Sequence, residues 1–202
     1  NKDFVKGFSY LDKAFSDPDV LLENKIKTIS YYLESQAIIT TYPTEIERLI
    51  NALLILYPDD INVTRVTYDF FLKTEKYNRA FIQIKKLLKQ ERDNYNMWQQ
   101  TIYFASMLGL NDEMLSLSQE AITIFPNKTD LYLFEAIGHY LNNDFRESYD
   151  ILKEKYVLGL EMGIQLQFLT FLGESAYKLG YIEESFSYLE ELILLDPNNL
   201  PI

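Results

Sequence analysis

Two stretches of the chain are laid out on one ruler. In WQQTIYFASMLGLNDEMLSLSQEAITIFP, residues 98–126, the marks Trp98, Gly109, Ala121 and Pro126 stand 11, 12 and 5 residues apart. In LTFLGESAYKLGYIEESFSYLEELILLDP, residues 169–197, Leu169, Gly180, Leu192 and Pro197 stand at the same steps. A spacing that returns at a fixed interval means that one supersecondary unit is used repeatedly and packs against its own copies.

The period inside each unit is helical. Trp98, Ile102, Ala105 and Leu108 recur at three- and four-residue steps, as do Met114, Leu117, Ala121 and Ile124. Asn111-Asp112 supplies capping oxygens between the two runs, and Pro126 stops the second. The unit is therefore a helical hairpin with a short turn. The same hairpin fits 64–92, with Tyr77, Ala80, Ile84 and Leu87 as the buried stripe of its second helix. It fits 129–158, with its turn at Asp144-Phe145 and a stripe through Ser148 and Leu152. In 169–197 the stripe is Ser185, Leu189 and Leu192. Pro58 closes a less regular unit and Pro18 a truncated one. Pro58 to Pro126 spans two units of 34 residues; Pro126 to Pro197 is three residues longer, an excess placed in YVLGLEMGI, 156–164.

This period and these positions resemble the tetratricopeptide repeat (TPR) family. Trp98, Gly109, Ala121 and Pro126 carry the resemblance in one unit, Tyr77 and Ala80 in the unit before it. Leu172-Gly173, Gly180 and LDPNN (195–199) carry it in the last. It implies an all-α fold, stacked antiparallel helix pairs wound into a right-handed solenoid with a concave groove. Small residues such as Ala80 and Gly173 let helices approach, while Trp98 and Leu152 fill the space beside them. The chain reads as a single array: 1–19 the end of a truncated repeat, 20–60 a degenerate repeat, then 61–94, 95–128, 129–164 with an extended linker, and 165–199. First helices are expected near 20–38, 61–73, 95–108, 129–142 and 165–179. Their partners are expected near 44–57, 77–90, 112–125, 145–158 and 182–194, after an opening helix near 2–15. Three departures stand out. Asn143 sits where Gly would ease a turn, Glu135 falls on a position usually apolar, and the first helix of 20–58 is longer than the pattern.

Composition narrows the function. There is no Cys, which removes disulfides, thiolate metal sites and cysteine nucleophiles. No apolar run reaches membrane-spanning length. The net charge of −11 is uneven: residues 1–60 carry 6 basic and 10 acidic side chains, 61–94 carry 8 and 4, and 95–202 carry 5 and 16. An acidic surface argues against nucleic acid as a partner, because phosphate contacts need basic side chains. The opening NKDFVKGF lacks Met and lies inside a helical pattern, so the chain reads as a fragment of a longer protein. The Asn-, Ile-, Lys- and Tyr-rich wording suggests a bacterial source; the compartment stays open between the cell envelope (periplasmic side) and the cytoplasm.

No residues assemble a catalytic or cofactor-binding constellation. His139, the sole histidine, lies among Ala136, Tyr140 and Phe145 and reads as a packed polar aromatic, since a metal site wants three or four ligands. Glu183-Glu184 and Glu190-Glu191 read as solvated helix faces. Asn62-Val63-Thr64 and Asn127-Lys128-Thr129 match the glycosylation acceptor pattern, which arises often by chance. A basic island of Lys73, Lys76, Arg79, Lys85, Lys86, Lys89 and Arg92 is either a solvated second helix or a dock for an anionic partner.

The resemblance implies that partners are held by first-helix residues facing the groove. The matching slots are Asn62, Arg65, Asp69 and Leu72, then Asn96, Gln99, Tyr103 and Ser106. Asp130, Leu133, Ile137 and Tyr140 follow, then Gln167, Thr170, Glu174 and Tyr177. Tyr and amide side chains suit peptide recognition. The cationic clamp that some members use for acidic peptide tails is missing, because Asp69 and Asp130 stand on that face. The expected function is a non-enzymatic protein–protein interaction scaffold that binds a peptide or partner helix. The alternatives are a structural segment of a larger solenoid that self-associates through exposed ends, or an appendage of a catalytic domain outside this chain.

Overall fold

The computed structural model describes residues 2–157 and 160–197, with side chains from Lys6 onward. Among the described residues there are twelve α-helices and no strand. The chain divides into two compact units, 1–92 and 93–202.

Unit 1 holds α1 (Lys2–Ser16), α2 (Leu22–Leu33), α3 (Gln36–Thr41), α4 (Pro43–Leu56), α5 (Ile61–Lys73) and α6 (Tyr77–Gln90). Helix α1 packs on α4, α2 on α4 and α5, and α5 on α6. Phe8, Phe15, Ile29, Ile46, Leu49, Ile50, Leu53, Phe70, Phe71, Ala80 and Ile84 form the core. The long first helix expected at 20–38 is instead two helices. Ser35 sits in extended backbone, and its side chain accepts from the Ile38 amide, starting α3 as an N-cap. This second start signal, inside the apolar pattern, breaks the helix there. Lys25 is buried: its ammonium donates to the carbonyls of Phe15 at 3.2 Å and Asp17 at 2.7 Å. It thereby caps the end of α1 and ties it to α2.

Unit 2 holds α7 (Tyr95–Met107), α8 (Asn111–Ile124), α9 (Thr129–Leu141), α10 (Phe145–Lys155), α11 (Met162–Lys178) and α12 (Ile182–Leu195). Each helix packs on the next, and α9 also packs on α11. Trp98, Ile102, Ala105, Met114, Ala121, Leu131, Ala136, Leu152, Phe168, Leu169, Leu172 and Leu192 are buried. Helix α10 ends three residues before its expected boundary and α11 starts three before its own; of the interval between them, 158 and 159 lie outside the described residues, as do Asn198 and Asn199 of the LDPNN run.

One device builds four of the hairpins. The residue at Glu75, Gly109, Asn143 and Gly180 is left-handed, with φ of 57°, 67°, 65° and 79°. The next amide then donates back across the turn to a helix carbonyl: Lys76 to Phe71, Leu110 to Ala105, Asp144 to His139 and Tyr181 to Ala176, at 2.8–2.9 Å. This 6→1 bond satisfies an orphan carbonyl at the helix end. Second helices end on a capping amide bond, Tyr57 to Leu53, Phe125 to Ala121 and Asp196 to Leu192, one residue before Pro58, Pro126 and Pro197. Close approach needs small residues. A Cβ on Gly138 would meet Leu115 Cβ at 2.9 Å, and one on Gly173 would meet the tip of Leu189 at 3.0 Å. Ser185 fixes the second approach by donating to the Gly173 carbonyl at 2.8 Å.

Candidate functional site

In unit 2 the first helices α7, α9 and α11 carry twelve of the groove slots, and polar bridges join successive first helices. Gln99 of α7 donates to Asp130 of α9 at 3.0 Å, and the Tyr95 hydroxyl donates to the same carboxylate. Tyr95 is held well above the usual tyrosine range by burial first, then by that bond and the Asp130 charge. Further along, Tyr140 of α9 bonds Glu174 of α11; burial, this bond and the Glu174 charge push Tyr140 up to about 12. The Tyr140 ring is wedged edge-on between Phe145 and Phe171, with centroids 5.3 Å from each. Gln99, Asp130, Tyr140 and Glu174 are thus oriented side chains rather than free ones.

The other slots divide by exposure. Tyr103 is 60% and Tyr177 64% exposed, and Asn96 and Gln167 are exposed too. Thr170 is half-buried and bonds its own helix at the Leu166 carbonyl, 2.8 Å away. Leu133 is buried and offers nothing to a partner; it belongs to the core of unit 2. Its apolar character follows from that place.

A pocket of about 420 Å³ opens beside Tyr140, Glu174 and Tyr177. Gly173, Lys178, Ile182, Ser185, Phe186 and Leu189 complete its wall. Phe186 of this wall stands 63% exposed. Sequence reasoning uses Gly173 and Leu189 for packing and misses the pocket. The signal is there: α12 carries Ile182, Phe186 and Ile193 beyond the stripe that unit 2 buries.

Unit 1 carries the slots Asn62, Arg65, Asp69 and Leu72 on α5. Arg65 pairs with Glu91 at 2.5 Å. Asp69 is half-buried, and burial raises its pKa against the pull of Arg65 and Lys73. The basic island on and around α6 is partly spent within the unit. Lys76 and Arg79 both pair with Glu47, and Arg79 also bonds Asn51 at 3.1 Å and stacks 4.0 Å over Phe71. Burial pushes the Glu47 carboxyl up, but the two cations outweigh it and the net shift is downward. Lys85 lies over the Phe81 ring and Lys86 reaches the Pro58 carbonyl at 3.5 Å. Lys73, Lys89 and Arg92 are exposed.

The acidic pairs of α12 are not merely solvated. Glu184 accepts from Tyr149 and from Lys153, and Glu191 accepts from Tyr156 at 2.5 Å. These bonds join α10 to α12. His139 is half-buried, its Nδ1 3.6 Å from an Asp144 oxygen. Among the described residues no group of His, Cys, Asp or Glu could hold a metal ion, and no helix is long and apolar enough to cross a membrane.

The repeated turn and the small-residue contacts define a TPR-type helical-hairpin fold. Solved structures share it: YrrB, described as a TPR protein with an unusual peptide-binding site, is 13% identical with a TM-score of 0.60, the match covering 83% of this chain and 86% of that one. MamA from Desulfovibrio magneticus RS-1, residues 41 to the end, is 11% identical with a TM-score of 0.61, covering 88% and 98%. A thermophilic TPR protein of Thermus thermophilus is 16% identical with a TM-score of 0.51, covering 88% and 92%. No protein-family model matches the sequence, and no curated protein does.

Proposed function

We propose that the chain is a non-enzymatic protein-interaction scaffold, which holds a peptide or partner helix along the first helices of its repeats at 95–128, 129–164 and 165–199. The observation that supports this most is the polar row in unit 2. Gln99–Asp130 and Tyr140–Glu174 fix four side chains between successive first helices, with Tyr103, Asn96, Gln167 and Tyr177 exposed among them. Fixed polar groups interleaved with exposed tyrosines bind through several shallow contacts at low entropic cost. The likeness of fold to a protein with a peptide-binding site supports the same reading.

The test is capture from a bacterial lysate by the wild-type chain and by Tyr103→Ala with Gln167→Ala, two exposed positions outside the pocket. Circular dichroism checks that the variant stays folded. A partner retained by wild type and lost from the variant is the expected result. A partner held equally by both overturns the reading.

A second reading is assembly through an end face, which the exposed Phe186, Ile193 and Leu194 of α12 favour. Light scattering that grows with concentration would support it; a constant monomer mass would reject it.

A further inference from the structure

The first helices of unit 2 are poor in charge, and most of what they carry is negative. Helix α7 has no Asp, Glu, Lys or Arg; α9 has Asp130 and Glu135; α11 has Glu174, with Lys178 as its last residue. Among the twelve slots on these helices, Asp130 and Glu174 are carboxylates and none is Lys or Arg.

Asp130 holds its charge in one place. The Tyr95 hydroxyl and the Gln99 amide both donate to its Oδ2, the second at 3.0 Å, and among the described residues Oδ1 accepts no bond. Both donors are neutral, so they orient the carboxylate without cancelling its charge. The neighbouring cation Lys128 lies over the Tyr95 ring, 4.4 Å from its centroid. Glu174 is held in the same way by the neutral hydroxyl of Tyr140. Both carboxylates are half-buried, where a charge is poorly hydrated and attracts a cation more strongly than at an open surface.

An exposed ring stands one helical turn from each. Tyr103 follows Gln99 by four residues on α7, and Tyr177 follows Glu174 by three on α11. A carboxylate beside a phenol ring suits the ammonium of Lys or the guanidinium of Arg, which pairs with the one and lies over the other. Unit 2 uses that chemistry internally: Lys153 bonds Glu184 at 2.9 Å and lies 5.0 Å from the Tyr149 ring centroid. Between α10 and α12 the cation is built in. The first helices supply carboxylate and ring, with Lys178 placed near Phe145.

We propose that the first-helix row of unit 2 selects a segment of another protein that carries Lys or Arg. Its cations pair with Asp130 and Glu174, and their stems lie along Tyr103 and Tyr177. The inference rests on the scaffold reading above and names the chemistry of its partner; it draws on neither the α12 face nor the net charge of the chain. A second copy suits the row less well, because many of its cations are engaged at home. Lys25 is buried, Lys27 pairs with Glu23, Arg48 with Asp12, Arg65 with Glu91, and Lys76 and Arg79 with Glu47.

The test uses short labelled peptides on one flexible Gly/Ser frame, with Arg, Gln or Glu at the same positions. Binding to the whole chain is read by fluorescence anisotropy. The Arg peptide is expected to bind, and the Gln and Glu peptides at least about tenfold more weakly. Asp130→Asn with Glu174→Gln should weaken the Arg peptide by about tenfold. Glu147→Gln with Glu190→Gln makes the same change of charge at exposed positions on α10 and α12, and should weaken it by less than about twofold. Tyr103→Ala should weaken it a few-fold. Circular dichroism checks each fold. Glu174→Gln alone leaves the bonds to Asp130 in place and should still weaken the Arg peptide a few-fold. Equal loss in the two double variants overturns the proposal, since diffuse surface charge would then govern binding. Equal binding of all the peptides, or none of the Arg peptide, overturns it too. So does a mass that rises with concentration unless Asp130 and Glu174 are replaced, since a second copy would then be the occupant. If the Arg peptide fails while the lysate partner is still lost from the Tyr103 and Gln167 variant, the scaffold reading stands and this one falls. If the Arg peptide depends on Asp130 and the lysate partner is indifferent to Tyr103 and Gln167, the outcome is reversed.

Discussion

At the scale of single residues, Lys25 shows what a periodic reading cannot see. It sits in the polar-looking run ENKIK, and nothing in the spacing says that its ammonium turns inward. The structure places it under the end of α1, on the Phe15 carbonyl and on the Asp17 carbonyl, which also accepts from the Val20 amide at 3.4 Å. Lys25→Met keeps the volume and removes the donor from both carbonyls, leaving Asp17 with only the Val20 amide. The expected loss is about 2 kcal/mol in urea unfolding, the range for hydrogen bonds from a charged group. An unchanged midpoint would mean that water already serves those carbonyls. Asp69 poses the opposite case. Burial raises its folded pKa above the unfolded value despite Arg65 and Lys73. Above the folded pKa the native state therefore carries a poorly hydrated charge that the unfolded chain hydrates freely. That penalty fades as pH falls from the folded pKa toward the unfolded one. Asp69→Asn should raise Tm at neutral pH, with the gain shrinking in acid; a gain that grows in acid would contradict the assignment.

At the scale of elements, the hairpins are legible because the chain writes their ends in glycine and proline. Gly109 and Gly180 mark turns, and Pro58, Pro126 and Pro197 mark stops. The helices at 61–73 and 77–90 match the expected bounds; Asp60 caps the first, and the left-handed turn at Glu75 sets the start of the second. Where a signal is shared with ordinary polar residues, the reading fails: Ser35 is a cap that looks like any serine, so the pattern runs α2 and α3 together. Glu75 is a turn residue that looks like a helix former, yet it takes the same left-handed conformation as the glycines. A side chain there is strained. Glu75→Gly should therefore raise stability by about 0.5–1 kcal/mol, after the entropy glycine adds to the unfolded chain. Asn143→Gly should gain less, since Asn tolerates this region. A urea midpoint shift at constant slope measures both.

At the scale of the whole molecule, the fold class follows from the ruler, because a lone hairpin cannot bury its apolar face and must stack at constant repeat. The candidate site follows only in part. Slots for Tyr103, Gln167 and Tyr177 can be placed by register, and these are exposed. Register alone cannot say that Asp130 and Glu174 are tied to tyrosines, that Leu133 is core, or that a pocket opens where Gly173 meets α12. Those depend on which helices meet, not on spacing within one.

The central claim is that partners meet the first helices of unit 2. The direct measurement is site-specific photo-cross-linking in the source lysate, with a photoreactive phenylalanine at position 103, 167 or 116. The first two lie on α7 and α11, and Ser116 is exposed on the second helix α8. The account predicts one protein adduct shared by 103 and 167 and missing at 116. An adduct at 116 with none at 103 or 167 would contradict it.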